Sequence, residues 1–146
     1  MPNQTAVKAR RLEGYTAVIT GSARGQGLAH AQRLSAEGAR VIMADVLEAE
    51  GNDEAQRIQD EGGQAEFLYL DVSQPEQWEK LAEYLGDSYG QVDVLVNNAG
   101  IINVEPTETL SLHTWNKVLS INLTGPLLGT QALLPLLRKS GHASII

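Results

Sequence analysis

Thr20-Gly21-Ser22-Ala23-Arg24-Gly25-Gln26-Gly27 lies between an apolar run, Ala17-Val18-Ile19, and a helical pattern predicted from Leu28 to Glu37. A β-branched strand therefore empties into a glycine-rich turn that opens a helix. Such a turn suits an anion. It exposes backbone N–H groups, and the first helical turn adds unpaired donors and the positive end of the helix dipole. Glycine reaches positive φ and leaves no Cβ between the chain and a ligand. The stretch reads as a pyrophosphate cradle.

Outward from the turn, apolar strands alternate with helical patterns. Residues 1 to 14 are polar with several basic groups and read as a leader ending at Gly14. Strand one is predicted over Thr16 to Thr20. The helix after the turn puts Leu28, Ala31, Leu34 and Ser35 on one face and stops at Gly38. Strand two spans Arg40 to Asp45, and its continuous apolar run Val41-Ile42-Met43-Ala44 fits a strand covered on both faces. A helix from about Leu47 to Asp60 and a strand from Ala65 to Leu70 follow. Ser73-Gln74-Pro75-Glu76 reads as a helix start, with Ser73 as cap, Pro75 in the first turn and Glu76 completing a capping box. That helix runs to Tyr89, turning Trp78, Leu81, Ala82 and Leu85 inward. Strand four is predicted over Val92 to Asn97, and a loop with Pro106 reaches about Leu110. A helical segment then runs from near Ser111 to Lys139, kinked at Pro126, and Ala143 to Ile146 opens a fifth strand. Trp78 and Trp115 both fall at core-facing positions.

Strand–helix alternation with short connections means α/β architecture: a parallel sheet with helices on both faces. The chain stops at Ile146 inside an apolar strand, and the last helix is apolar nearly all round. It reads as the N-terminal piece of a longer protein, its doubly wound sheet truncated in strand five.

Composition narrows the function. The 146 residues are 42% hydrophobic and 20% charged, as in a globular domain. A net charge of -7 opposes nucleic-acid or anionic-membrane partners. With no cysteine, thiolate catalysis and thiolate zinc sites are excluded. No apolar run suffices to span a bilayer, and no signal core opens the chain, so a cytoplasmic protein is expected. His30, His113 and His142 lie far apart without carboxylates at ligand spacing, so no metal is expected.

In an open α/β sheet, ligands sit beyond the carboxyl ends of the strands at the switch point. Strand one delivers the glycine turn there, strand two Asp45, strand three Asp71, and strand four Asn97, Asn98, Ala99 and Gly100. Asp45 lies about 20 residues past the turn, where a dinucleotide fold places the acid that holds the adenosine ribose. A 2′-phosphate beside it would meet like charge, up to roughly 4 kcal/mol at 4 Å and an effective dielectric of 20. NAD is therefore favoured over NADP. Arg24 is the counter-argument, because a guanidinium could meet that phosphate.

Thr20 to Gly27 (Thr-Gly-x-x-x-Gly-x-Gly) together with Asn97-Asn98-Ala99-Gly100 resembles the short-chain dehydrogenase/reductase family. Asp71-Val72 and Asn122 within Ser120 to Gly125 extend the resemblance over residues 15 to 146. It implies a Rossmann-type domain in which Gly21, Gly25 and Gly27 line the pyrophosphate, with Ser22 and Arg24 near the adenosine side. Gln26 stands where many members carry Ile or Leu, presenting only its backbone. Asp71 would accept from the adenine amino group and the Val72 N–H would donate to the ring. Asn98, Ala99 and Gly100 would pass against the ribose, while Asn97 ties strand four to its neighbours. Asn122 would be the first member of the family's Asn-Ser-Tyr-Lys tetrad, its carbonyl holding a water on a proton relay. Pro126, four residues on, clashes with that carbonyl's helical position.

The other tetrad members are missing. The residues four after Tyr15, Tyr69, Tyr84 and Tyr89 are Ile19, Ser73, Ser88 and Asp93, none of them lysine, and Ser144 is too early in its strand to be the catalytic serine. The resemblance thus implies hydride transfer between NAD and a secondary alcohol or ketone by a homo-oligomer, dimer or tetramer. This chain holds the cofactor-binding half. Ile101-Ile102-Asn103 and the Trp78 region lend it a hydroxysteroid or alicyclic-alcohol character. Two rivals remain: a non-catalytic nucleotide-binding or interaction module, and an NADP-dependent reductase similar to 3-oxoacyl-carrier-protein reductases. A truncated product with no function of its own is a third possibility.

Overall fold

The structure, a computed structural model, describes residues 10–146. Most of the expected leader, residues 1–9, lies outside the described residues. The elements follow the order β1 Thr16–Thr20, α1 Gly25–Ala36, β2 Arg40–Asp45, α2 Glu48–Asp60, β3 Gln64–Tyr69, α3 Pro75–Tyr89, β4 Val94–Val96, α4 Leu112–Leu119, a π-helical segment Ser120–Thr124, α5 Gly125–Leu137 and β5 Ser144–Ile145. The five strands form one parallel sheet in the order β3-β2-β1-β4-β5. The order reverses between β1 and β4, so the expected switch point exists and the glycine turn sits at it.

Alternate residues of the central strands feed two cores. Val18, Ile42, Ala44 and Leu95 pack under α3 and α5 with Trp78, Leu85 and Leu133. Ala17, Ile19, Val41, Met43 and Val96 pack under α1 and α2 with Ala31, Ala55 and Ile58. The run Val41 to Ala44 is fully buried, as a strand covered on both faces requires.

Several boundaries differ from expectation, each for a local reason. Helix α1 begins at Gly25, three residues before the predicted Leu28, because its glycines occupy a first turn whose N–H groups need no helical partner. Strand β3 is displaced one residue toward the N-terminus, with Gln64 opposite Arg40. Strands β4 and β5 are shorter than predicted. Helix α3 does not use the expected capping box: its N-cap is Gln74, and the Ser73 hydroxyl instead donates to Asp71 Oδ1 at 2.7 Å. Trp115 is 50% exposed rather than core-facing, whereas Trp78 is 1% exposed. The predicted kink at Pro126 takes the form of the π-helical segment, in which the Gly125 N–H reaches the Ser120 carbonyl five residues back. Widening one turn relieves the proline's clash without breaking the helix. No helix among the described residues is long and apolar enough to cross a membrane.

Candidate functional site: a cleft at the switch point

The carboxyl ends of β1, β2 and β4 and the segment after β3 enclose a cleft of about 370 Å³. Nine of the expected residues line it: Gly21, Arg24, Gly25, Asp45, Asp71, Val72, Asn98, Ala99 and Gly100. One cation and two carboxylates thus share an otherwise mostly uncharged wall. Gly21 (φ +63°) and Gly25 (φ +60°) both take the left-handed conformation. A Cβ on Gly21 would fall 2.8 Å from Ala99 Cα, closing the turn against the β4 loop, whereas nothing lies within 4 Å of where a Gly25 Cβ would stand. The turn therefore offers bare backbone to the cleft, as a phosphate-bearing ligand needs.

Four expected residues stand elsewhere. Ser22 is fully buried, with its hydroxyl 3.4 Å from the Ala44 carbonyl, and does not line the cleft. Gln26 is exposed on the first turn of α1, outside the cleft lining. Gly27 lies behind the wall, where a Cβ would run into the Gly21 carbonyl and the Asn98 amide. Its missing Cβ permits that close approach of helix and strand. Asn122 also stays outside the lining and clamps the loop after β4 from behind. Its Oδ1 accepts from the Ile101 N–H at 2.9 Å and its Nδ2 donates to the Ile101 carbonyl at 2.8 Å.

Both asparagines after β4 tie strands together, and Asn98 also lines the cleft. The side-chain amide that ties the strands together belongs to Asn98, whose Nδ2 donates to the carbonyls of Thr20 (2.9 Å) and Gly21 (3.0 Å). Asn97 contributes its backbone N–H, donated to the Ile146 carbonyl at 2.8 Å. Thr20, the first residue of the turn, is a joint of the site that sequence reasoning misses. Its buried hydroxyl accepts from the N–H groups of Asn98 (3.1 Å) and Ala99 (3.0 Å) and donates to the Val96 carbonyl at 3.3 Å. A hydroxyl-bearing residue at a strand end facing two small-residue loops is the signal that marks it.

Both carboxylates are partly engaged. Asp45 Oδ2 accepts from the Ala23 N–H at 2.9 Å and Oδ1 from the Leu47 N–H at 3.1 Å. It therefore pins the glycine turn to the start of α2 while keeping lone pairs for a ligand hydroxyl. Asp71 Oδ1 accepts from both the N–H and the hydroxyl of Ser73. The lining that sequence reasoning did not assign to the cofactor is apolar: Val46, Leu47, Leu70, Ile101 and Ile121. Each neighbours an assigned residue or opens the π-helical segment, and no periodicity distinguishes such positions from ordinary core.

A family model described as short chain dehydrogenase matches residues 15–146. The chain belongs to the short-chain dehydrogenase family. It is 40% identical over 136 residues to a 3-alpha-(or 20-beta)-hydroxysteroid dehydrogenase of Mycobacterium tuberculosis, covering 93% of this chain and 51% of that protein. A trans-4-hydroxycyclohexanecarboxylate dehydrogenase of Sinomonas cyclohexanicum is 38% identical, covering 92% of this chain and 54% of the relative. Among solved structures, a metagenomic short-chain oxidoreductase in complex with NADP superposes with a TM-score of 0.87 at 32% identity, covering 92% of this chain and 62% of that one. This short-chain dehydrogenase chain spans about half the length of the curated relatives it matches. The family is enzymatic and works with a nicotinamide cofactor.

Proposed function

We propose that this chain binds NAD through the switch-point cleft and forms the cofactor-binding half of a dehydrogenase that acts on an alicyclic secondary alcohol or its ketone. The observation that carries the reading is Asp45: a carboxylate at the end of β2, lining the cleft and fixed by two backbone N–H groups. Gly21 and Gly25 would face the pyrophosphate, Asp71 and Val72 the adenine, and Ala99 and Gly100 the ribose. When bound, a nicotinamide supplies the acceptor for the carbinol hydride. Asn122 holds the Ile101 loop, and the widened turn around it is where a relay water would meet its carbonyl.

The alicyclic class rests on the relatives named above and on the uncharged, exposed Ile102 and Val104 that follow Gly100 in the loop after β4. The 146 residues contain no Tyr-x-x-x-Lys, so the chain alone is proposed to bind without turnover. Exposed apolar side chains on α4 and α5, Trp115 and Leu127 among them, support a homo-oligomer. A cytoplasmic location agrees with the cysteine-free composition.

NADP is the second reading, favoured by Arg24 in the cleft lining and by the neighbour solved with NADP. Calorimetric titration decides between them. NAD should bind the wild-type chain roughly tenfold or more tighter than NADP, because a 2′-phosphate at Asp45 meets like charge. Asp45→Ala should narrow that gap. Equal wild-type affinities would remove Asp45 as the selector.

A further inference from the structure

We infer that Gln77 and Trp78, two consecutive residues in the first turn of α3, act together as a brace that aims the Asp71–Val72 backbone at the base of the bound nucleotide and so make the cleft selective for adenine. The inference rests on the dinucleotide reading above. Neither residue lines the cleft. Gln77 Oε1 accepts the Asp71 N–H at 2.7 Å, and the Trp78 indole Nε1 donates to the Val72 carbonyl at 2.9 Å. The peptide groups on either side of the Asp71–Val72 bond are thereby held by side chains of one rigid helix turn. Of the peptide between them, the Asp71 carbonyl accepts the Gln74 N–H at 3.0 Å, while the Val72 N–H has no hydrogen-bond partner among the described residues.

The brace is anchored in the core. Trp78 is 1% exposed, and a Cβ on Gly129 of α5 would collide with its ring. Val72 is seated the same way, since a Cβ on Gly125 would fall 2.9 Å from Val72 Cγ2. An indole that is wedged against a glycine and also spends its N–H on a carbonyl fixes both the position and the rotation of that peptide. The outcome is a wall with one fixed donor, the Val72 N–H, beside one fixed acceptor, the Asp71 carboxylate. Adenine presents the complement, a ring nitrogen acceptor beside an amino donor. Hypoxanthine presents the reverse, a ring N–H beside a carbonyl, and would set donor against donor and carboxylate against carbonyl.

The test compares NAD with nicotinamide hypoxanthine dinucleotide on the 146-residue chain by calorimetric titration, for wild type, Trp78→Phe and Gln77→Ala. Trp78→Phe keeps an aromatic ring and deletes the N–H. Gln77 is only half-buried, so its variant keeps the fold if the tryptophan variant does not. Wild type should prefer NAD, and each variant should lose about three- to tenfold of that preference, the weight of one hydrogen bond. A purely structural role would weaken both dinucleotides equally and leave the ratio unchanged, which would overturn the brace. Failure of the wild type to bind either dinucleotide would instead overturn the dinucleotide reading itself.

Discussion

At the scale of single residues, the cleft is held by polar atoms that never face it. Thr20 shows the principle. Its hydroxyl serves three backbone groups of the β4 loop, and Asn98 answers with two bonds back to the Thr20–Gly21 backbone. Asn98 N–H has a second acceptor in the Val96 carbonyl at 3.0 Å, but Ala99 N–H depends on Thr20. Thr20→Val conserves shape and removes the hydroxyl, leaving that N–H unpaired. The expected cost is about 1–3 kcal/mol in urea denaturation, together with faster amide exchange at Ala99. Unchanged exchange at Ala99 would show that the loop is held by Asn98 alone.

At the scale of elements, the end of α1 is a second joint, at the opposite end of β1 from the cleft. Glu37, the C-cap residue, takes the Arg11 guanidinium in two bonds of 3.0 Å and pairs with Arg33 one turn back, while its backbone carbonyl accepts from the Leu12 N–H. This strap fastens residues 10–14 beneath the sheet. The hydrogen bonds from Arg11 come first in holding the Glu37 carboxyl below the usual carboxylate range, with the charges of Arg11 and Arg33 adding to them against the cost of burial. A carboxylate lowered on folding contributes stability that is fully present above its unfolded pKa and is lost as pH falls through the folded value. Thermal melts of the wild type should therefore lose stability below the ordinary carboxylate range more steeply than melts of Glu37→Gln. Parallel acid limbs for the two proteins would exclude the strap as a source of acid sensitivity.

The same scale shows what the sequence could and could not convey. Strand β2 is legible to the residue because an unbroken apolar run bounded by Arg40 and Asp45 admits one reading. The glycine turn is legible because strand, turn and helix each carry their own signature. The strand-tying bonds of the Asn98 side chain are not, since nothing in a pair of adjacent identical residues says which amide turns back on β1. The Ser73 cap fails because Asp71 competes for the same hydroxyl. Trp115 misleads because helical spacing gives the face of a helix and not what lies against it. Trp78 reads as core and Gln77 carries no signal of its own, and only the tertiary structure brings both onto the Asp71–Val72 backbone.

At the scale of the molecule, the two ends of the cleft are unequally equipped. The end proposed to hold the cofactor draws on β1, β2, the segment after β3 and the loop after β4, and it is cross-braced by Asp45, Thr20, Asn98 and α3. The end beyond Gly100 has the Ile101 loop and the widened turn at Asn122, but none of the four tyrosines stands four residues before a lysine that would lower its pKa and place it as an acid–base. On the proposed reading, binding and chemistry separate in this chain. Purified 146-residue protein should gain about 2.7 kcal/mol of stability from NAD supplied at a hundredfold excess over its dissociation constant, because binding only the folded state pulls the equilibrium toward it. With cyclopentanol or a hydroxysteroid added at the same NAD concentration, the absorbance of the reduced nicotinamide should stay flat. Growth of that absorbance, in a preparation free of other dehydrogenases, would mean that residues of this chain supply the proton transfer by a route other than the Tyr–Lys pair.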